Sequence, residues 1–311
     1  MKNCRLMTNR EVSLPPEVRA RIDQFVDSID ERLSSEEETA DVVREVLARL
    51  HGDGSVYDRW QAGESISRSE RVRLDAYDPR NVTGKSDAWA EQDEERFRES
   101  KPLRWLWRGF DASPISHNVG LALPFRQMIA NHLFAEVGDG LQLFRGITFP
   151  YGHNIDMGDG AVVHEDVLLD DRGELTIGDG VSIADDVTIL GHSHDVTDQS
   201  NVSLCHMVVE DDARLGAEAM LAAGVRVGHD AMVGAKALVR GDVPAHHVAV
   251  GMPAESVGVK PDWESVADDP GRLPDTRETR RIEFDLPDDL ERADEFQRDR
   301  TPPDTSDTTD N

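Results

Sequence analysis

Two histidines one residue apart, His192 and His194, stand in the run Gly191-His192-Ser193-His194-Asp195. Imidazole titrates near neutral pH, so either ring is suited to take a proton from a hydroxyl and return it to a leaving group. Asp195 or a backbone carbonyl would orient such a ring. A His-x-His pair can also ligate a metal, and further histidines stand at 153, 164, 206 and 229. Zinc, however, needs three or four convergent donors. The elements around the pair bear on which chemistry it serves.

Those elements form a repeat. An aliphatic residue recurs every six positions at Val209, Leu215, Leu221, Val227, Val233 and Val239, often followed by glycine (Gly216, Gly228, Gly234). Four residues after each comes a small or aliphatic one: Ala213, Ala219, Val225, Ala231, Ala237 and Val243. The same frame holds at Ile177, Ile183 and Ile189, and at Met157, Val163 and Leu169 before a two-residue insertion. A helix repeats at 3.6 residues and a flat strand at two, so neither explains six. A triangular coil does: three six-residue sides close one turn, aliphatics point inward, and stacked turns bury a core that no single repeat could bury. Glycine is expected to ease the corners by adopting positive φ. In this frame His194 closes the hexad begun at Ile189, and the pattern lapses over 195–208. That stretch reads as a loop thrown out of the coil with His194 at its root, which makes His194 the first choice for the base and His192 the second.

The hexads, together with Tyr151-Gly152-His153-Asn154-Ile155, the His192–Asp195 run, Asp242-Val243-Pro244 and Val250-Gly251-Met252-Pro253-Ala254, resemble the hexapeptide-repeat acyltransferases. The resemblance covers roughly residues 145–260 and is closest to the maltose and galactoside O-acetyltransferase group. It implies an all-β left-handed parallel β-helix, a homotrimer, and acetyl-CoA bound between subunits. It implies acetyl transfer to a hydroxyl of a sugar or similar small acceptor, with His194 as general base and no metal. By the same resemblance, the backbone at Gly216–Ala217 would face the acetyl oxygen and Ala235 would line the pantetheine channel. Arg240 would take over a phosphate contact where relatives carry Thr-Lys, and Glu255 stands where they often have arginine. On the acceptor side, His164 and Asp166 occupy asparagine positions, and Asp170, Asp171 and Arg172 fall where the family has acidic contacts. Two alternatives stay open. One is a zinc enzyme of the carbonic-anhydrase kind, although the expected His-x4-His spacing is missing. The other is a non-catalytic scaffold.

The chain has 311 residues and a net charge of −28. Such a surface repels phosphate backbones and anionic lipid, which argues against nucleic-acid or membrane partners. Five lysines against 29 arginines fit adaptation to high salt, where screening removes self-repulsion; an ordinary acidic protein with disordered ends is the rival. Two cysteines give no disulfide framework. The N-terminus carries no signal-peptide pattern and no stretch reaches a membrane span, so a cytoplasmic location is expected.

Ahead of the repeats, residues 1–100 read as an acidic helical extension and linker. Helices are expected over 16–50, with Pro16 at a first helical position, a Ser35/Glu38 capping box and Gly52 as the stop. A linker with one helix near Trp89–Glu99 is expected over 53–100. Residues 101–144 read as a helical segment leading into the β-helix. Within it, Arg104-Trp105-Leu106-Trp107-Arg108 reads as a docking face, and a helix is expected over 124–135. Residues 261–311 read as a disordered acidic tail. A phosphate-cradling glycine loop is missing from residues 1–140, which excludes a nucleotidyltransferase with a β-helix tail.

Overall fold

The structure, a computed structural model, describes residues 14–198, 201–261, 263 and 271–284. From residue 136 the chain winds about six turns of a parallel β-solenoid with three sheets. One sheet stacks β1 (Glu136–Val137), β3 (Ile155–Met157), β6 (Leu175–Ile177), β11 (Met207–Val209) and β14 (Arg226–Val227). A second stacks β2 (Gln142–Leu143), β4 (Val162–Val163), β7 (Ser182–Ile183), β12 (Arg214–Leu215), β15 (Met232–Val233) and β17 (His247–Gly251), closed by antiparallel β18 (Ala254–Val259). The third stacks β5 (Leu168–Leu169), β8 (Thr188–Ile189), β13 (Met220–Leu221) and β16 (Leu238–Val239). Every hexad aliphatic from Met157 to Val239 points inward and is buried. Each such side chain contributes about 1.5–3 kcal/mol of transfer free energy.

The corners differ from the expectation. Positive φ recurs three residues after the inward aliphatic, not one, at Asp166, Asp186, Asp212, Glu218, Asp230 and Lys236 and at several glycines. Gly216 and Gly228 serve close stacking instead. A Cβ on Gly216 would lie 2.5 Å from the Ala235 nitrogen, and one on Gly228 would lie 2.6 Å from the Ala245 nitrogen. Aspartates also ladder one corner: the Asp139, Asp159 and Asp179 amides donate to the carboxylates of Asp159, Asp179 and Asp211 in the next coil. Part of the acidity is therefore internal wiring between coils.

The expected parallel β-helix with an α-helical N-terminal extension is the architecture found. Six α-helices precede the solenoid among the described residues: α1 (Pro16–Leu33), α2 (Thr39–Leu50), α3 (Gly54–Gln61), α4 (Arg68–Tyr77), α5 (Glu94–Asp111) and α6 (Val119–Leu133), of which α5 and α6 meet its first coils. Helical and solenoid side chains share one buried cluster. Helices α3 and α4 occupy the stretch expected as linker. They are held by Val56, Tyr57 and Leu74 against Ala48, and by an ion pair between Arg73 and buried Asp53. The Ser35/Glu38 box does not form: Glu38 itself is the N-cap of α2 and makes no side-chain cap bond. A complete box stands instead at Ser67 and Glu70. Helix α6 begins at Val119, so Pro124 lies inside it and not at its start. The Trp-rich run docks as expected: Trp107 Nε1 donates to the Ile147 carbonyl at 2.9 Å, with Leu106 and Phe110 fully buried beside it. Within the expected tail, residues 271–284 are ordered against the solenoid. Leu273 is buried, Arg280 pairs with Asp242, and β19 (Arg281–Ile282) adds to the strand Val202–Cys205. Residues 285–311 lie outside the described residues.

Candidate active site

The solenoid gives each hexad corner a column of stacked residues. After Ile189 the chain leaves the coil at Gly191. It forms a hairpin of β9 (His192–His194) and β10 (Val202–Cys205), to which β19 adds on the far side. The excursion thus begins earlier than the hexad count implied. His194 does not close a coil side; it sits on an exposed strand of the hairpin opposite Val202. Asp195 is committed to the hairpin turn, where its carboxylate accepts from the Thr197 and Asp198 amides.

His192 occupies the root of the hairpin and is mostly covered, with 18% of its side chain exposed. Its Nδ1 hydrogen-bonds the Asp170 carboxylate, which the preceding coil supplies at the same corner. The Arg172 guanidinium lies against the same ring and also bonds Asp170. Arg172 is in turn stacked over Trp89 of the helical extension at 4.3 Å. Burial works against the Asp170 carboxylate, but the His192 hydrogen bond and the Arg172 charge outweigh it and hold its pKa below the ordinary value. His194 packs edge-on against His192 with ring centres 5.3 Å apart.

Asp171, read as an acceptor contact, has no exposed surface. Its carboxylate accepts the Tyr151 amide at 2.9 Å and the Asn154 amide, which ties one coil to the next. Burial pushes this carboxyl up to about 7, partly offset by those amide bonds. Within the chain its carboxylate is thus spent on bonds between coils.

The other expected residues divide between two corners. Arg240 is exposed, forms no ion pair among the described residues, and belongs to the same column as Asp170 and His192. Gly216, Ala217, Ala235, His164 and Asp166 belong to the corner at the opposite end of the third sheet's strands, as the Glu218–Asp185 and Lys236–Ala217 amide-to-carbonyl bonds show. There the Gly216 N–H is consumed by the Val233 carbonyl at 2.8 Å, whereas the Ala217 N–H has no acceptor among the described residues. His164 stacks flat on Phe144, and Asp166 is an exposed corner residue at φ 58°. Within one chain a full strand of the third sheet separates this group from His192.

Sequence reasoning gave Trp89 no part in the site and named Tyr151 only within a motif. Tyr151 is fully buried, stacks on His153, packs edge-on with Trp89, and donates its hydroxyl to the Glu91 carbonyl. Nothing in the weakly periodic stretch 53–100 signalled that Trp89 would reach the histidine corner. Among the described residues no three His, Cys, Asp or Glu side chains converge where they could hold a metal. No described helix is long and apolar enough to cross a membrane.

No protein-family model matches the chain. It is 27% identical over 136 residues to the galactoside O-acetyltransferase of Escherichia coli K12, covering 42% of this chain and 67% of that one. It is 30% identical over 135 residues to serine acetyltransferase 4 of Arabidopsis thaliana, covering 43% of this chain and 34% of the relative. The chain thus spans two thirds of the first relative's length and about a third of the second's. Among solved structures, a maltose O-acetyltransferase from Clostridium difficile 630 aligns over 54% of this chain and 89% of its own, at 25% identity and a TM-score of 0.48. The chain is homologous to hexapeptide-repeat acetyltransferases. These relatives are named as acetyltransferases.

Proposed function

We propose that this chain transfers acetyl from acetyl-CoA to a hydroxyl of a small acceptor, a sugar by analogy with the galactoside and maltose O-acetyltransferases. The observation that carries the proposal is the His192–Asp170 pair at the root of the hairpin. Asp170 fixes the tautomer by accepting from Nδ1, which leaves the Nε2 lone pair for the acceptor proton. His192 therefore replaces His194 as the favoured base. The acceptor hydroxyl takes the place beside the ring that the Arg172 guanidinium holds. As His192 removes the proton, the acceptor oxygen bonds the thioester carbonyl carbon. When the tetrahedral adduct collapses, the carbon–sulfur bond breaks and the proton on His192 passes to the departing thiolate, giving an acetyl ester and free CoA.

The developing oxyanion needs a donor. The Ala217 N–H suits that role, with Gly216 stacked to let the backbone approach and Ala235 beside it in the next coil. Because Ala217 and His192 lie on different corners, one chain cannot bring both to one acetyl group. A homotrimer in which the 217 corner of one copy faces the 192 corner of the next would complete the site. Arg240, exposed and without an ion pair among the described residues, offers a phosphate contact for CoA; Lys236, Arg226 and Lys260 are each paired to a carboxylate. His164 and Asp166 would meet the acceptor only across such an interface. Cytoplasmic residence and, from the charge and the lysine-to-arginine balance, adaptation to high salt complete the reading.

The test is acetyl-CoA turnover followed by free-thiol release across a sugar panel, at high and low salt, with light scattering to give the oligomeric state. Turnover with a sugar by a trimer supports the reading. CoA that neither turns over nor raises the melting temperature would return the chain to the scaffold alternative.

A further inference from the structure

Helix α5 has two working faces. Leu103, Leu106, Trp107 and Phe110 face the shared core. The stripe Lys101, Arg104, Trp105 and Arg108, spaced i, i+3, i+4, i+7, faces the segment 82–87 across a small cavity. That stripe is unlike the rest of this chain. In a protein of net charge −28 it gathers three cations around a cavity with one carboxylate, Asp87, which is already paired to Lys101 at 2.9 Å. Neither Arg104 nor Arg108 forms an ion pair among the described residues.

Two donors there are also unused. Arg104 is 8% exposed, and its guanidinium spends its terminal nitrogens on the Pro150 and Phe97 carbonyls and the Ser86 hydroxyl. Its Nε–H is buried with no partner, and so is the Trp105 Nε1–H. Both groups can only donate. An orphaned buried donor costs about 1–3 kcal/mol, and both donors belong to residues that line this one cavity, so a small acceptor that reaches them from it would relieve the cost. The acceptor must be small, because the cavity holds about 20 Å³, room for one water-sized guest. Burial pulls the Arg104 pKa down to about 10, with the nearby Asp87 charge offsetting part of the loss.

We propose that this cavity between α5 and residues 82–87 is a halide-sized anion site, occupied by chloride. A water would satisfy the two donors but leave the excess positive charge; chloride answers both. The bound ion ties α5 to segment 82–87, which continues into Trp89 and the histidine corner.

The test uses the full chain at one fixed ionic strength, replacing gluconate, which is too large for the cavity, with chloride. The melting temperature is expected to rise with chloride and to saturate, as for a native-state ligand. Trp105→Phe, which keeps the ring and deletes the donor, and Arg108→Gln, which removes an exposed charge, are expected to weaken or abolish the rise while folding normally. Crystals soaked in bromide should show an anomalous peak between Arg104 and Trp105. Superimposable curves in the two salts, or an equal response in wild type and both variants, would mean general screening or an adventitious ion only, and would overturn the site.

Discussion

At the residue scale, the hairpin root separates two histidines that look equivalent in the chain. His192 has a buried carboxylate partner, whereas His194 lies on the exposed strand beyond it. His192→Ala is expected to lower turnover by the ~10²–10⁴-fold of a lost general base, with His194→Ala within a few-fold of wild type. The reverse order in a thiol-release assay would restore His194 as the base. Asp170→Asn should retain the fold and lose rate, because the amide can donate to Nδ1 and favour the wrong tautomer. A second titrating residue bears on stability. His153 is buried beside Ser100, and burial, helped by the Arg96 and Arg104 charges, lowers its pKa to about 4. The unfolded chain binds that proton near pH 6.5. Between those values the unfolded state holds more protons at this site, so the His153 contribution to stability falls as pH drops from about 6.5 towards 4. The Asp171 carboxyl, held up at about 7, acts with the opposite sign over the same window, so the test is a difference: in urea unfolding the wild type should lose stability relative to His153→Asn as pH falls.

At the element scale, coil stacking sets which positions tolerate change. Gly216→Ala would drive a Cβ to 2.5 Å from the backbone nitrogen of Ala235. Such overpacking is expected to cost several kcal/mol and visibly lower the melting temperature. Gly160 has φ 65° but nothing within 4 Å of an added Cβ. Gly160→Asn should therefore be nearly neutral, since asparagine tolerates the left-handed region, while Gly160→Val should cost about 1–2 kcal/mol. Equal melting points for Gly216→Ala and Gly160→Asn would contradict this account of the corners.

For the whole molecule, the helical extension and the solenoid form one core, with Phe125, Met128 and Ile129 of α6 in the same cluster as Leu143, Ile147 and Ile155 of the first coils. A solenoid end without a cap exposes strand edges and apolar interior. A chain beginning near residue 135 should therefore aggregate, measurable by light scattering, while the full chain stays dispersed. The extension also reaches the proposed site through Trp89 and Arg172, so its loss would disturb the histidine corner even in refolded material.

The repeat of six determined the triangular coil, its inward aliphatics and its approximate limits, because every turn must bury the same face and the pattern is local. The helices with a clear apolar stripe, α1 and α2, were legible for the same reason. Helices α3 and α4 were not, since their anchors are spread across other elements: Tyr77 and Arg73 reach back to Asp53. The site was legible as a neighbourhood, the histidine pair and the Asp170–Arg172 turn, but not as an assignment of roles. Asp170 and Asp171 are adjacent and chemically identical in the chain; the pleat turns one to His192 and the other to the backbone of Tyr151. Where the hairpin leaves the coil, at Gly191 and not at 195, likewise decides which histidine meets the carboxylate. Hydrophobic period is written along the chain, whereas pairing across coils depends on register, and register exists only once the coils are stacked.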